Sequence, residues 1–248
     1  MSHPKRTALV TGGNRGLGEA IARALHDAGH TVIVAHTPGN RKVAGWINTQ
    51  AAQGYAFAAY GVDVSNYESV QDLARAIYAD GHQVEILVNN AGITRDASFR
   101  KLDKANWDAV LRTNLDSMFN VTKPFIDSML QRGWGRIINI SSINGSKGQF
   151  GQTNYSASKA GVHGFTMALA QEVARKGVTV NTVAPGYLDT EMVAAVPAET
   201  LQRVIDAIPV GRLGQPAEIA ALVAFIASDA AAFMTGSRIS MNGGQHMY

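Results

Sequence analysis

The sequence predicts an α/β fold: a single Rossmann-type, doubly wound parallel sheet with helices on both faces. Three observations predict it. Short apolar runs alternate with helical stripes along the whole chain. The first strand-to-helix junction is rich in glycine. And 46% of the 248 residues are hydrophobic against 17% charged, enough to fill one substantial core.

Thr7-Ala-Leu-Val-Thr11 is a short apolar run that stops at glycines and reads as a buried strand. Over 16–28, Leu17, Ala20, Ile21, Ala24 and Leu25 fall on one stripe, and Gly29 closes that helix as a C-cap. Strand 31–35, helix 43–53, strand 55–62 and helix 67–78 follow, the last with Val70, Leu73, Ala74 and Ile77 on one face. Strand 84–88 precedes a long helix over 103–130, in which Pro124 marks a kink or break. Strand 135–141, helix 153–175 and strand 178–183 come next. A helix over 216–227 with a first-turn proline and a short strand 238–241 complete the series. The stretch 185–214 is the exception: Pro185, Pro197, Pro209, Gly211 and Gly214 interrupt a weak helical pattern, as expected of a substrate lid. With no repeat or linker, the expectation is one domain over 1–248.

Composition removes several function classes. The absence of cysteine excludes disulfides, thiolate nucleophiles and cysteine metal sites. The net charge is +3, and the basic residues come as scattered pairs (Lys5-Arg6, Arg41-Lys42, Arg100-Lys101), so no nucleic-acid partner is expected. No apolar run approaches the ~18 residues of a membrane span, and the first ten residues lack a secretory apolar stretch. The expectation is a cytoplasmic protein without a membrane partner. His26 and His30 have the spacing of helical metal ligands, but Gly29 lies between them and no third ligand is evident, so no metal is expected. Ser156-x-x-Lys159 lacks the S-D-N and K-T-G partners of penicillin-binding chemistry.

The glycine-rich junction reads Thr11-Gly-Gly-Asn-Arg-Gly-Leu-Gly18. Glycines permit a tight turn and close approach of backbone to a pyrophosphate at a helix N-terminus. Gly12, Asn14, Arg15, Gly16, Leu17 and Gly18 are therefore candidate dinucleotide contacts; the competing reading is a glycine-rich turn without a ligand. NAD enzymes carry an acid at the end of the second strand. Here that position reads Ala35-His36-Thr37. Arg15 and Arg41 suit a 2′-phosphate instead, which points to NADPH; each also reads as a solvated surface residue.

Tyr155 and Lys159 share one face of a helix at i and i+4. A free phenol titrates near 10, and an adjacent cation favours the phenolate, as a general acid–base on a carbonyl or alcohol oxygen requires. That pair alone is weak evidence. Ser142, thirteen residues earlier at the end of a strand, adds a hydroxyl that can donate to a substrate oxygen. Its neighbour Ser141 reads as a capping or packing residue, and His163, eight residues beyond Tyr155, as a packed or interface histidine.

Together T-G-x-x-x-G-x-G, Asn89-Asn-Ala-Gly92, Asn114, Ser142, Tyr155-x-x-x-Lys159 and Pro185-Gly186 resemble the short-chain dehydrogenase/reductase family over essentially the whole chain. The resemblance implies Tyr155 as proton donor, Lys159 as the group that lowers its pKa and binds nicotinamide ribose, Ser142 on the substrate oxygen, and Asn114 in a water relay. It also implies Asp63 and Val64 near adenine, Asn90 near its ribose with Ala91 and Gly92 beside it, Thr190 on the carboxamide, and a tetramer. Ile93-Thr-Arg-Asp96, Phe99-Arg-Lys101, the run from Gly148 to Tyr155 and the tail Asn242-Gly-Gly-Gln-His-Met247 resemble the branch that reduces 3-oxoacyl thioesters. Arg15 departs from that branch, which need not carry a base there. The implied substrate is a short 3-oxoacyl-CoA, acetoacetyl-CoA first, with an acyl-carrier-protein thioester as the alternative. Asp96, Lys101, Gln149, Phe150, Gln152, Gly186 and Tyr187 are the candidate substrate contacts. The competing class is a dinucleotide sensor that binds without turnover.

Overall fold

The computed structural model describes residues 5–190 and 198–247. Seven parallel strands form one sheet in the order β3-β2-β1-β4-β5-β6-β7. The strands are β1 (Thr7–Thr11), β2 (Thr31–His36), β3 (Phe57–Gly61), β4 (Val84–Asn89), β5 (Gly135–Ile140), β6 (Val178–Pro185) and β7 (Arg238–Met241). Between them lie α1 (Gly16–Asp27), α2 (Val43–Ala52), α3 (Tyr67–Ala79), α4 (Lys104–Leu111), α5 (Ser117–Arg132), the single turn α6 (Asn144–Lys147), α7 (Thr153–Val173), α8 (Ala198–Asp206) and α9 (Pro216–Ala227).

Alternate side chains of each central strand enter opposite apolar layers, as a pleat of period two requires. Leu9, Ile33, Leu87 and Ile137 meet α3, α5 and α7 through Ile77, Phe125 and Val173. Ala8, Val10, Val34 and Ile138 meet α1 and α9 through Leu25 and Val223. A buried polar chain crosses the first layer: Asn89 donates to Asn139 (2.9 Å), Asn139 to Thr166 (2.9 Å), and Thr166 bonds Thr182 (2.7 Å). It ties α7 to three adjacent strands and so fixes the helix that carries Tyr155 and Lys159.

One expectation needs correction. The helix over 103–130 is α4 and α5 joined by a π turn at Arg112–Asp116, and α5 runs through Pro124. The break falls at Asn114, whose side-chain amide accepts from Ile93 N (2.8 Å) and donates to Ile93 O (2.9 Å). That pairing with another segment holds the turn open; π turns of this kind often sit at functional sites. The weak helical pattern expected within 185–214 falls where a helix stands. The stretch contains α8, and Leu188 pairs with Gly214 as an isolated parallel bridge. Its residues 191–197 lie outside the described residues.

Candidate active site

The order of strands reverses between β1 and β4, and in open α/β sheets the ligand crevice lies beyond the carboxyl ends at that point. A cleft of about 810 Å³ opens there. It is lined by the glycine loop, Ala35 to Thr37, Val62 to Val64, Asn90 to Thr94, Ile140 to Asn144, Gln152, Tyr155, Lys159, and Pro185 to Leu188 with Thr190.

The glycine loop is shaped by what a side chain would strike. Gly12 has φ +64°, a backbone region that favours glycine. A Cβ on Gly18 would collide with the Gly12 carbonyl oxygen and lie 2.7 Å from Asn90 Nδ2. A Cβ on Gly16, by contrast, would meet nothing nearer than Thr190 Cγ2 at 4.0 Å, so this backbone lies open to the cleft. Thr11 and Asn90 brace the loop. Thr11 Oγ1 accepts from the amides of Asn90 and Ala91 (3.0 Å each), and Asn90 Nδ2 donates to Thr11 O (2.9 Å). Thr11 opens the T-G-x-x-x-G-x-G motif, but the sequence alone assigns it no role.

Tyr155 and Lys159 enter the cleft from the first turns of α7, where Lys159 Nζ lies 5.6 Å from the phenol ring centre and donates to Ile140 O at 2.8 Å. Burial lowers the Lys159 ammonium to about 8. Burial also pushes the Tyr155 phenol up to about 12, Ser142 partly opposes this by hydrogen bonding, and Asp96 and Tyr187 add to it. The sequence argument expected the cation to lower the phenol. Desolvation is the largest influence on the phenol, because both groups sit in the same enclosed wall and each charged form is disfavoured there.

Ser142 lies on the cleft wall, and its Oγ accepts from Asn144 N (3.1 Å). Ser141 packs, donating to Lys159 O (2.9 Å). His163 bonds Ser141 at 2.9 Å, and burial lowers it to about 4, with Arg238 and Lys159 acting in the same direction. Asn114 is fully buried; it clamps the Ile93 backbone, and its Oδ1 lies behind Gly92 on the cleft wall.

The remaining candidates divide. Gly12, Asn14, Arg15, Gly16, Leu17, Gly18, Asp63, Val64, Asn90, Ala91, Gly92, Pro185, Gly186 and Thr190 line the cleft, and so do Gln152 and Tyr187. Arg41 is exposed beyond it. Lys101 and Gln149 are also exposed outside it, and Phe150 is 89% exposed at the loop tip. Asp96 stands at the rim, bound by Gln152 Nε2 at 2.7 Å. Sequence reasoning missed Asn144, which is 7% exposed and joins Ser142 to Gln152. It also missed Gln245, whose Oε1 accepts from Tyr187 N (2.9 Å) and so ties the C-terminal tail to the cleft wall.

The model of the short chain dehydrogenase family matches residues 6–201. The chain belongs to the short-chain dehydrogenases. Among its relatives are the acetoacetyl-CoA reductase of Cupriavidus necator, 52% identical over 98% of this chain and 99% of that one, and nodulation protein G of Azospirillum brasilense, 53% identical over 97% and 98%. The 3-oxoacyl-[acyl-carrier-protein] reductase FabG of Pseudomonas aeruginosa is 45% identical over the full length of both. As a member of this family the chain is an oxidoreductase that uses NAD(P)H. The cleft fits that cofactor: bare glycine backbone at Gly16 faces it, and at Gly92 a Cβ would press on Asn114 Oδ1 at 3.3 Å. None of the described helices is long and apolar enough to cross a membrane.

Proposed function

We propose that this short-chain dehydrogenase reduces acetoacetyl-CoA to the (3R)-hydroxyacyl-CoA with NADPH, the step that supplies polyhydroxybutyrate synthesis. The observation that carries the proposal is Tyr155, Lys159 and Ser142 on one cleft wall, in a chain 52% identical to an acetoacetyl-CoA reductase over nearly its whole length. NADPH, when bound, supplies the hydride to the 3-keto carbon. The residues that would hold it are the glycine loop from Gly12 to Gly18, Asp63 and Val64, Asn90 to Gly92, Lys159, Pro185, Gly186 and Thr190. Arg15 carries the preference for NADPH, with Arg41 in support. Arg15 lines the cleft, and no acid stands in the run from Ala35 to Thr37.

Each residue then has a task. A phenol raised to about 12 is fully protonated at neutral pH, so Tyr155 is loaded to give its proton to the substrate oxygen. A secondary alkoxide is a far stronger base than a phenolate, so the transfer runs downhill. Ser142 donates to the same oxygen as charge builds on it, the electrostatic contribution that is usually largest. Lys159, in its protonated form, stabilises the phenolate left behind. Asn114 acts as a positioning residue through Ile93, holding the cleft edge beside Gly92. The acyl thioester lies between Gln152 on one side and Gly186 and Tyr187 on the other, with Asp96 at the rim. Lys101, Gln149 and Phe150 are proposed as outer contacts to the carrier.

The protein is further proposed to be one domain over 1–248 with a lid at 185–214, a homotetramer, and cytoplasmic. The test is NADPH oxidation at 340 nm (a standard absorbance for the reduced nicotinamide) with acetoacetyl-CoA and with acetoacetyl-acyl carrier protein. A kcat/KM at least about tenfold, or about 1.4 kcal/mol, in favour of the CoA substrate is expected. The reverse ratio assigns the chain the carrier-protein reaction named in its Pseudomonas relative.

A further inference from the structure

A polar chain along one wall of the cleft has a direction. Asp96 is an exposed carboxylate at the rim, and when ionised it only accepts hydrogen bonds. Gln152 turns its Nε2 toward it at 2.7 Å. The Gln152 carbonyl therefore faces inward, where Asn144 Nδ2 donates to Oε1 at 2.9 Å. That leaves Asn144 Oδ1 at the inner end, buried and without a partner. The opposite arrangement would pair Oδ1, but it would set the Gln152 carbonyl against the Asp96 carboxylate. The anionic rim decides the orientation at the expense of one buried acceptor left without a protein partner, an arrangement that calls for an explanation.

Asn144 is itself held firmly. A Cβ on the next residue, Gly145, would lie 2.7 Å from the Lys159 carbonyl carbon, so this turn rests directly on α7. Asn144 N also donates to Ser142 Oγ. One residue thus bonds Ser142 through its backbone and Gln152 through its side chain.

We propose that Asn144 is a positioning residue for substrate recognition. It locks the Gln152 amide with its NH2 on the Asp96 side, and the second N–H of that group is the donor offered to the thioester carbonyl. The proposal rests on the thioester-reductase reading above. It separates the two functions of Asn144: its backbone serves Ser142 and the chemical step, and its side chain serves binding.

The test uses four full-length proteins, wild type, Asn144→Ala, Asn144→Asp and the double variant Asn144→Asp with Asp96→Asn, with Asp96→Asn alone as control. For each, kcat and KM on the 3-oxoacyl thioester that the wild type reduces best are read beside Tm. Asn144→Ala is expected to raise the thioester KM about five- to tenfold, with kcat and the NADPH KM within about twofold, the signature of lost uniform binding. Asn144→Asp sets an acceptor against the Gln152 carbonyl and is expected to lower Tm and raise KM further. Adding Asp96→Asn lets the amide reverse. Tm is then expected to recover while KM stays above that of the Asp96→Asn control, a split that a merely structural role would not produce. The proposal is overturned if Asn144→Ala keeps a wild-type KM, if its kcat falls as far as its kcat/KM, or if the double variant regains the control KM together with its Tm. A wild type inactive on every 3-oxoacyl thioester overturns the thioester reading and this proposal with it, whereas an active wild type and an indifferent Asn144→Ala overturn this proposal alone.

Discussion

Lys159 allows the cost of the active-site wall to be measured directly. The residue is 4% exposed, and burial brings the ammonium from 10.5 down to about 8. Below pH 8 the folded and unfolded chains both hold the proton, and the folded protein carries the full cost of a buried cation. Between about 8 and 10.5 the folded chain releases its proton first, so stability rises with pH; above 10.5 the cost is gone. Each pH unit in that window is worth about 1.36 kcal/mol, so the total is on the order of 3 kcal/mol. Lys159→Met keeps an unbranched chain of similar length and removes the charge. It also removes the bond to Ile140 O, a loss that does not depend on pH. The stability of wild type relative to Lys159→Met should therefore climb by about 3 kcal/mol from pH 7.5 to 10.5. At roughly 2–4 °C per kcal/mol for a chain of this size, that is a relative Tm change of about 6–12 °C. Differential scanning calorimetry of the protein without cofactor reads it. Tyr155 is common to both proteins and so drops out of the difference. A difference in Tm that stays flat across the window would falsify the buried-cation reading.

Other outcomes follow from the same wall. If Lys159 must be protonated to stabilise the phenolate, kcat/KM for reduction should fall as pH rises through about 8, and a profile level to pH 9.5 argues against that role. Tyr155→Phe should lose at least about a hundredfold in kcat while NADPH still binds by fluorescence titration; more than about a tenth of wild-type kcat removes Tyr155 as the acid. Arg15→Ala should raise the NADPH KM about tenfold or more and leave the NADH KM nearly unchanged, and equal effects on both would show that Arg15 does not touch a 2′-phosphate. Tyr187→Ala should cut kcat/KM for a four-carbon 3-oxoacyl-CoA more than for six- and eight-carbon chains. A uniform loss would point to a lid defect, since closure is common to all of them.

The amino-acid sequence by itself determined the alternation of strand and helix, the glycine turn, and the i to i+4 pairing of Tyr155 with Lys159. These are legible because each rests on local order: a pleat of period two, a helical repeat, an i to i+4 spacing, a glycine where a side chain has no room. The sequence-level boundaries fall within a residue or two of the observed ones for most strands, as at Thr7–Thr11, where burial on both sides leaves little freedom. What only the tertiary structure decided depends on partners distant in the chain. The break at Asn114 comes from Ile93, 21 residues away, and not from Pro124, the residue with a local reason to break a helix. The direction of the Gln152 amide comes from Asp96, 56 residues away. The protonation of Tyr155 and Lys159 also depends on tertiary packing. Their spacing announces an ammonium beside a phenol, but spacing carries no information about solvent. Only the packed cleft reveals the burial that pushes the Tyr155 phenol up and the Lys159 ammonium down.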